Sequence, residues 1–369
     1  MKALEITVDE VRQSLRDYFA QAPGLAEVRA NRDGSDTAVA PTGFDRGRWA
    51  VVADQVGLTG LGTPERWGGL GLDVEVLAAA AEECATSMYP GPVRAALTLS
   101  VLLGSIDPDG MPDDFEALID GFLSAAVIPG LTTGPVSGRI SGDRARFTGV
   151  LRAVTNGAVA DLVVGEVDTD TGPAVAVVAV AAGNPARSSI RGIDLVTPLA
   201  DIEVTDAPAL LLGDAADLAR HRRLGTILLA AEQVGGAEGA LAEMVEYAKV
   251  REQFGVLIGT YQSIAHRCAD TAIAITAARA LVTAAAQAEV AGDATGAGQL
   301  ALLARAEAAD VFVAASDSYI QVSGGIGFTW EHDAHLFFRR ARATAAIGGT
   351  PAQYRDRAVE AGCLDLIRT

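Results

Sequence analysis

The texture of this chain changes twice, and the order of the three textures narrows the possible folds more than any single motif does. Apolar residues recur at helical spacing over residues 1–121, fall into short β-branched runs over 122–215, and return to helical spacing over 216–369. The first stretch opens on Thr7-Val8-Asp9-Glu10, in which Thr7 and Glu10 can reciprocally satisfy free amides, with Val8, Val11, Leu15 and Phe19 on one face. Residues 73–104 repeat the helical pattern in Ala, Leu and Val. It breaks at Tyr89-Pro90-Gly91-Pro92, where two prolines and a glycine end one helix and start another. The middle stretch holds runs such as Asp161-Leu162-Val163-Val164 and Ala174 to Val180 between Gly, Pro, Asn and Asp turns. Beyond it, Leu224, Ile227, Leu228, Ala231 and Val234, and later Ile273 to Ala291, predict long helices that bury their apolar stripes in a bundle.

The expected protein is therefore mainly α with a β insert. It has an N-terminal helical domain (1–121), a small middle β-barrel or sandwich domain (122–215) and a C-terminal helical bundle (216–369). Neither GxGxxG nor GxxxxGKS/T occurs, so a nucleotide would have to be held without a doubly wound domain. Half of the 369 residues are apolar, enough for an extensive core. No uninterrupted apolar run reaches the ~18 residues of a membrane span. Met1 to Glu10 lacks the basic-then-apolar order of a secretion signal, and a cytoplasmic location is expected. A net charge of -18 repels a nucleic-acid backbone, although a local basic patch could still hold a phosphorylated cofactor. Cys84, Cys268 and Cys363 lie far apart without CxxC spacing and read as small core residues.

Three stretches carry the chemistry. The first is Pro64-Glu65-Arg66-Trp67-Gly68-Gly69-Leu70-Gly71-Leu72, a Gly-rich turn. The second is Arg251-Glu252-Gln253-Phe254-Gly255, running through Ile258 and Gly259 to Gln262. Arg251 offers a forked cation suited to a pyrophosphate, Phe254 an apolar ring face, and Gln253 and Gln262 amides that both donate and accept. Alone, these residues would better suit a helix cap and a core phenylalanine. The third runs from Gln321-Val322-Ser323-Gly324-Gly325 through Ile326-Gly327-Phe328-Thr329-Trp330-Glu331-His332 to Arg339 and Arg340. Paired glycines let backbone amides approach a ligand that a β-carbon would exclude. His332 and His335 share a helical spacing beside Glu331, but no third ligand is placed by sequence, and no metal is expected.

In this order and at these separations the three stretches resemble the acyl-CoA dehydrogenase family, over nearly the whole chain. The resemblance implies a middle β domain followed by a four-helix bundle, and FAD as cofactor. Arg251, Gln253, Phe254, Gln262, Gln321, Gly324 and Gly325 would reach across a subunit interface to the adenosine-diphosphate half of a neighbour's FAD. Thr155 would lie near the flavin N5 of the chain's own site. In the family a glutamate takes the α-proton of a CoA thioester while the flavin accepts hydride from the β-carbon. That glutamate sits in a C-terminal loop or on the first long helix of the bundle. Here the matching positions are Gly348, in Ile347-Gly348-Gly349-Thr350, and Gly225. Neither can accept a proton.

Two flavin-facing segments also depart from the family pattern: Leu131-Thr132-Thr133-Gly134-Pro135, and Ala153-Val154-Thr155, where an aromatic is lost. Glu232 lies two helical turns beyond Gly225 on the same face, about 10 Å further along the axis, too far to replace a contacting base. No catalytic residue is therefore assigned. The expected protein is the non-base-bearing subunit of a heteromeric enzyme, resembling paired actinobacterial acyl-CoA dehydrogenases that act on steroid side chains. Its partners would be a homologous base-bearing subunit in a heterotetramer, an acyl-CoA and an electron-transfer flavoprotein. The rival readings are a self-sufficient homo-oligomer using Glu232 or another base, and a scaffold that never touches FAD.

Overall fold

A computed structural model describes residues 6–33, 44–106, 115, 119–122, 129–132, 136–141, 145–170, 172–183, 185–213 and 215–364. α1 (Val8–Gln21) starts at the expected capping box, with the Glu10 carboxylate accepting from the Thr7 amide at 2.8 Å and Thr7 Oγ1 accepting from Glu10 N at 3.3 Å. Its stripe of Val11, Leu15 and Phe19 is buried. α2 (Gly24–Asp33) and the short α3 (Arg46–Ala50) follow. α4 (Val74–Thr86) and α5 (Val93–Leu102) turn at the Tyr89–Pro92 corner. Between α3 and α4 the Pro64–Leu72 loop folds back on the chain, with Leu70 N donating to Gly60 O and Leu72 N to Leu61 O, both at 2.8 Å.

The middle stretch forms β1 (Pro129–Thr132), β2 (Val136–Ser141), β3 (Arg146–Thr155), β4 (Leu162–Thr169), β5 (Gly172–Val178), β6 (Ala186–Ile190) and β7 (Leu199–Gly213). The chain of pairings β3–β7–β5–β4 is closed by β2, which pairs with both β4 and β3, so the sheet curls round on itself. Its interior is a separate apolar cluster that includes Phe147, Leu151, Val154, Val163, Val167, Ile202 and Val204. Thr133, Gly134 and Pro135 of the altered flavin-facing segment lie outside the described residues.

The C-terminal stretch is built on α6 (Ala215–Val250), 36 residues and about 54 Å long. A two-residue hairpin, β8 (Glu252–Gln253) and β9 (Val256–Leu257), leads to α7 (Gln262–Val290), α8 (Ala294–Ser323), α9 (Ala334–Ala345) and α10 (Pro351–Glu360). α6 packs along α7 and α8 and is crossed by α4. Gly235 and Gly239 make that crossing close: a β-carbon at either would collide with the backbone carbonyl of Glu82 or Thr86 on α4. α7 is the one helix among the described residues long and apolar enough to cross a membrane; it packs against α6 and α8. Arg279 on α7 ties the regions together, bonding Glu82 on α4 at 2.7 Å and Glu238 on α6 at 2.9 Å.

Candidate functional site

Two places collect the residues singled out by sequence, and they are far apart. The first is the end of the bundle where α6 stops, α7 starts and α8 stops. Tyr247, in the last turn of α6, donates its hydroxyl to Ser323 O at the end of α8 (3.4 Å), which brings the Arg251–Gln262 and Gln321–Gly325 stretches to the same end. The hairpin closes with Ile258 N donating to Arg251 O at 2.8 Å and the Tyr261 hydroxyl donating to Gln253 O at 3.2 Å. Its two central residues, Phe254 and Gly255, both have positive φ (54° and 81°), as such a turn demands. A phenylalanine held there is strained, and the residue is 95% exposed. Arg251, Gln253, Gln262, Gln321, Gly324 and Gly325 are all exposed. α8 ends at Gly324 with φ +67°, and a β-carbon at Gly324 or Gly325 would meet open space, so the backbone here can be approached closely.

His332 and His335 sit beside this end without sharing a ligand. His332 is tucked edge-on to Tyr247 and tilted against Tyr319, with ring centroids at 5.7 and 5.4 Å, and its Nδ1 accepts from Ala334 N at 3.2 Å. Burial pushes its pKa down. His335 stacks on Trp330 at 4.9 Å, and the Arg339 guanidinium lies 5.6 Å from the same indole. Among the described residues no cluster of three possible metal ligands occurs.

The second place is a cavity of about 70 Å³ where α5, the barrel and the bundle meet, lined in part by Arg94, Thr155, Asn156, Asp194, Glu232 and Arg340. This is where the structure puts Thr155, away from the other named residues. Its hydroxyl is engaged with the Leu131 backbone, donating to the carbonyl at 3.1 Å and accepting from the amide at 3.2 Å. Glu232 is clamped: Arg94 Nε reaches it at 2.8 Å and Arg340 Nη2 at 3.5 Å. Arg340 continues to Asp194 at 2.9 Å and to the Thr197 hydroxyl at 2.5 Å. Burial raises the Asp194 pKa against the opposing pull of the Arg340 charge.

The two glycines expected at the family's base positions differ. At Gly225 a β-carbon would meet nothing within 4 Å. At Gly348 φ is +71° and a β-carbon would lie 2.5 Å from the Tyr354 hydroxyl. The loop around it is pinned by the fully buried Arg305, which donates to Thr344 O at 2.6 Å and Ile347 O at 3.1 Å and lies 5.0 Å from the Tyr354 ring centroid. Burial lowers its pKa to about 10. One turn before Gly225 on the same face stands His221, whose Nδ1 is buried without a partner.

Sequence reasoning gave no role to Arg94, Asp194, Arg305 or His221. The usable signal was a lone arginine in an apolar run, as in Val93-Arg94-Ala95-Ala96 and Leu303-Ala304-Arg305-Ala306, since a buried charge requires partners.

The comparisons decide the family. The model of the acyl-CoA dehydrogenase C-terminal domain matches residues 220–361. Acyl-CoA dehydrogenase IpdE2 of Mycobacterium tuberculosis is 31% identical over 94% of this chain and 96% of its own length. The chain belongs to the acyl-CoA dehydrogenase family. This is a family of FAD-dependent oxidoreductases. Acyl-CoA dehydrogenase FadE34 of the same organism is 35% identical over 89% of the chain, which spans only 43% of that protein. The fold is shared with the ChsE4-ChsE5 complex of Mycobacterium tuberculosis (TM-score 0.80, 24% identity, 95% and 96% of the two chains). It is shared equally with a variant of the Tcur3481-Tcur3483 steroid ACAD (TM-score 0.83, 23% identity, 98% of each).

Against this acyl-CoA dehydrogenase fold the two places fit the cofactor unequally. The exposed cation, amides and β-carbon-free backbone at the bundle end suit a pyrophosphate and its sugar. The inter-region cavity does not suit the flavin ring: ligand pockets usually run to about 300–1,000 Å³, and this one holds about 70 Å³ beside ion-paired side chains.

Proposed function

We propose that this chain is the non-base-bearing subunit of a heteromeric FAD-dependent acyl-CoA dehydrogenase, lending the adenosine-diphosphate half of a cofactor site to a base-bearing homologue. One observation carries the reading. The space between α5, the barrel and the bundle is taken up by Arg94, Glu232, Arg340 and Asp194, so the chain's own ring site is closed by its own ion pairs. Glycine at both base positions agrees with that loss. Arg251, Gln253, Phe254, Gln262, Gln321, Gly324 and Gly325 then face outward to complete a neighbour's site, and Thr155 serves as a backbone tie.

The reaction is α,β-desaturation of a CoA thioester, of a steroid side chain or a fatty acid. The steroid reading is supported by the likeness to a steroid ACAD, and the pairing by the likeness to a two-component complex. The assembly is a cytoplasmic heterotetramer that passes electrons to an electron-transfer flavoprotein. Within it, this chain's residues bind and orient the adenosine end, while the partner supplies the carboxylate.

The test is activity of the chain alone and of the chain co-expressed with a homologue bearing a glutamate at either family position. General-base removal of an α-proton is commonly worth about 10²–10⁴-fold, so the chain alone should be nearly silent and the complex active. Acyl-CoA oxidation by the isolated chain that disappears in Glu232→Gln would return the site to a self-sufficient enzyme.

A further inference from the structure

The Gly324–Trp330 loop is held at its two ends, with Gly327 buried and Trp330 stacked on His335, and it exposes large apolar side chains between them. At one end Ser323 closes α8 under the Tyr247 hydroxyl. At the other, His332 is lodged between Tyr247 and Tyr319, and Asp333 is buried at 8% exposure. The intervening Ile326, Phe328 and Trp330 are 47%, 81% and 47% exposed. The tip therefore takes its direction from its anchors. The Ser323 and His332 anchors belong to the bundle. Arg29 on α2, 304 residues away in sequence, adds a tie from outside the bundle, directing both Nε (2.7 Å) and Nη2 at Asp333 Oδ2. A forked guanidinium aimed at one carboxylate fixes angle as well as distance, which an ammonium would not do. The neighbouring acid Glu243 on α6 adds to the negative field that Arg29 answers.

We propose that Arg29 is a positioning residue: acting through Asp333, it sets the direction in which the Gly324–Trp330 loop meets the partner's cofactor, and so couples the N-terminal helices to the half-site. This rests on the half-site reading given above. Losing the pair would leave the loop chain intact but let its tip swing, and affinity for the adenosine end would fall while the partner's chemistry stayed the same.

The experiment uses the co-expressed complex and reads FAD affinity from the fluorescence of released flavin, alongside Tm and kcat at saturating FAD. Arg29→Ala should weaken FAD binding by about tenfold, the scale of one charge-assisted contact, with kcat unchanged. Arg29→Lys should fall between it and the parent, and stands in for it if the alanine variant does not assemble. The exchanged pair Arg29→Asp with Asp333→Arg should recover part of the loss. Arg279→Ala, which removes another tie between the N-terminal helices and the bundle, should lower Tm without changing FAD affinity. Unchanged affinity in Arg29→Ala, or an equal loss in Arg279→Ala at a matched fall in Tm, overturns the positioning role. Arg251→Ala separates the two levels of the argument. If it also leaves FAD affinity intact, the half-site reading itself fails; if it alone loses FAD, only the role of Arg29 fails.

Discussion

A guanidinium does opposite work in the two candidate places. Arg94 and Arg340 lie largely out of water and hold Glu232 between them, so each charge is answered by the protein itself. Arg251 is exposed beside the strained Phe254, where a charge stabilises little unless a ligand arrives. Arg251→Ala should therefore leave the melting temperature of the chain nearly unchanged and lower FAD retention of the assembled complex more than tenfold, since such a contact is worth roughly 1.5–3 kcal/mol. A lower Tm with unchanged retention would make Arg251 a helix cap.

His221 gives a second prediction at this scale. Burial, and to a lesser degree the Arg222 and Arg94 charges, push its pKa down to about 4 from the ordinary 6.5, although Glu166 pulls the other way. The unfolded chain takes up this proton first as pH falls. The stabilisation is complete above about pH 6.5 and is lost between there and pH 4, by about 2 kcal/mol after discounting for partial exposure of the residue. His221→Gln should flatten the Tm-against-pH curve in that window. The sequence could not have shown this, because His221 stands among arginines in a segment that reads as a solvated helix start. Thr7 and Glu10 were legible because a capping box is a purely local bargain.

At the scale of elements, spacing revealed which residues share a face but not what that face meets. The stripe Leu224, Ile227, Leu228, Ala231 and Val234 on α6 is buried as expected. That α4 crosses α6 at Gly235 and Gly239 was not legible, because close approach depends on a backbone from elsewhere in the chain. Gly225 and Gly348, the two expected base positions, show the same limit. Both read simply as glycine, yet Gly348 is left-handed and backed by the Tyr354 hydroxyl, whereas Gly225 is helical and faces open space. Gly348→Glu should cost roughly 2 kcal/mol or more through backbone strain and the displaced tyrosine. Gly225→Glu should fold with Tm within a few degrees of the parent, helped by better helix propensity. If Gly348→Glu melts no lower than Gly225→Glu, the loop is not pinned as described.

At the scale of the molecule, the Arg94–Glu232–Arg340–Asp194 chain joins α5, α6, α9 and the segment between β6 and β7 at the meeting point of all three regions. A flavin ring lodged there would itself hold these regions together. If, as proposed, the ion pairs stand in its place, the stability of the folded chain should not respond to the cofactor. A ligand that binds only the folded state adds about 2.7 kcal/mol at a hundredfold excess over its Kd. Excess FAD should therefore leave the Tm of the isolated chain where it is and raise that of the complex. Glu232→Ala should cost the isolated chain about 3 kcal/mol, because it leaves Arg94 buried without its carboxylate. The proposed division of the cofactor site also sets an expected stoichiometry. On the proposed reading each chain of this kind would offer an adenosine half-site and no ring site, so a complex with an equal number of base-bearing partners should hold one FAD for every two chains. The flavin absorbance of the purified complex, set against its protein concentration, measures that ratio directly. One FAD per chain would mean that the ion pairs open to admit a ring, and the partition of roles between the two subunits would have to be abandoned.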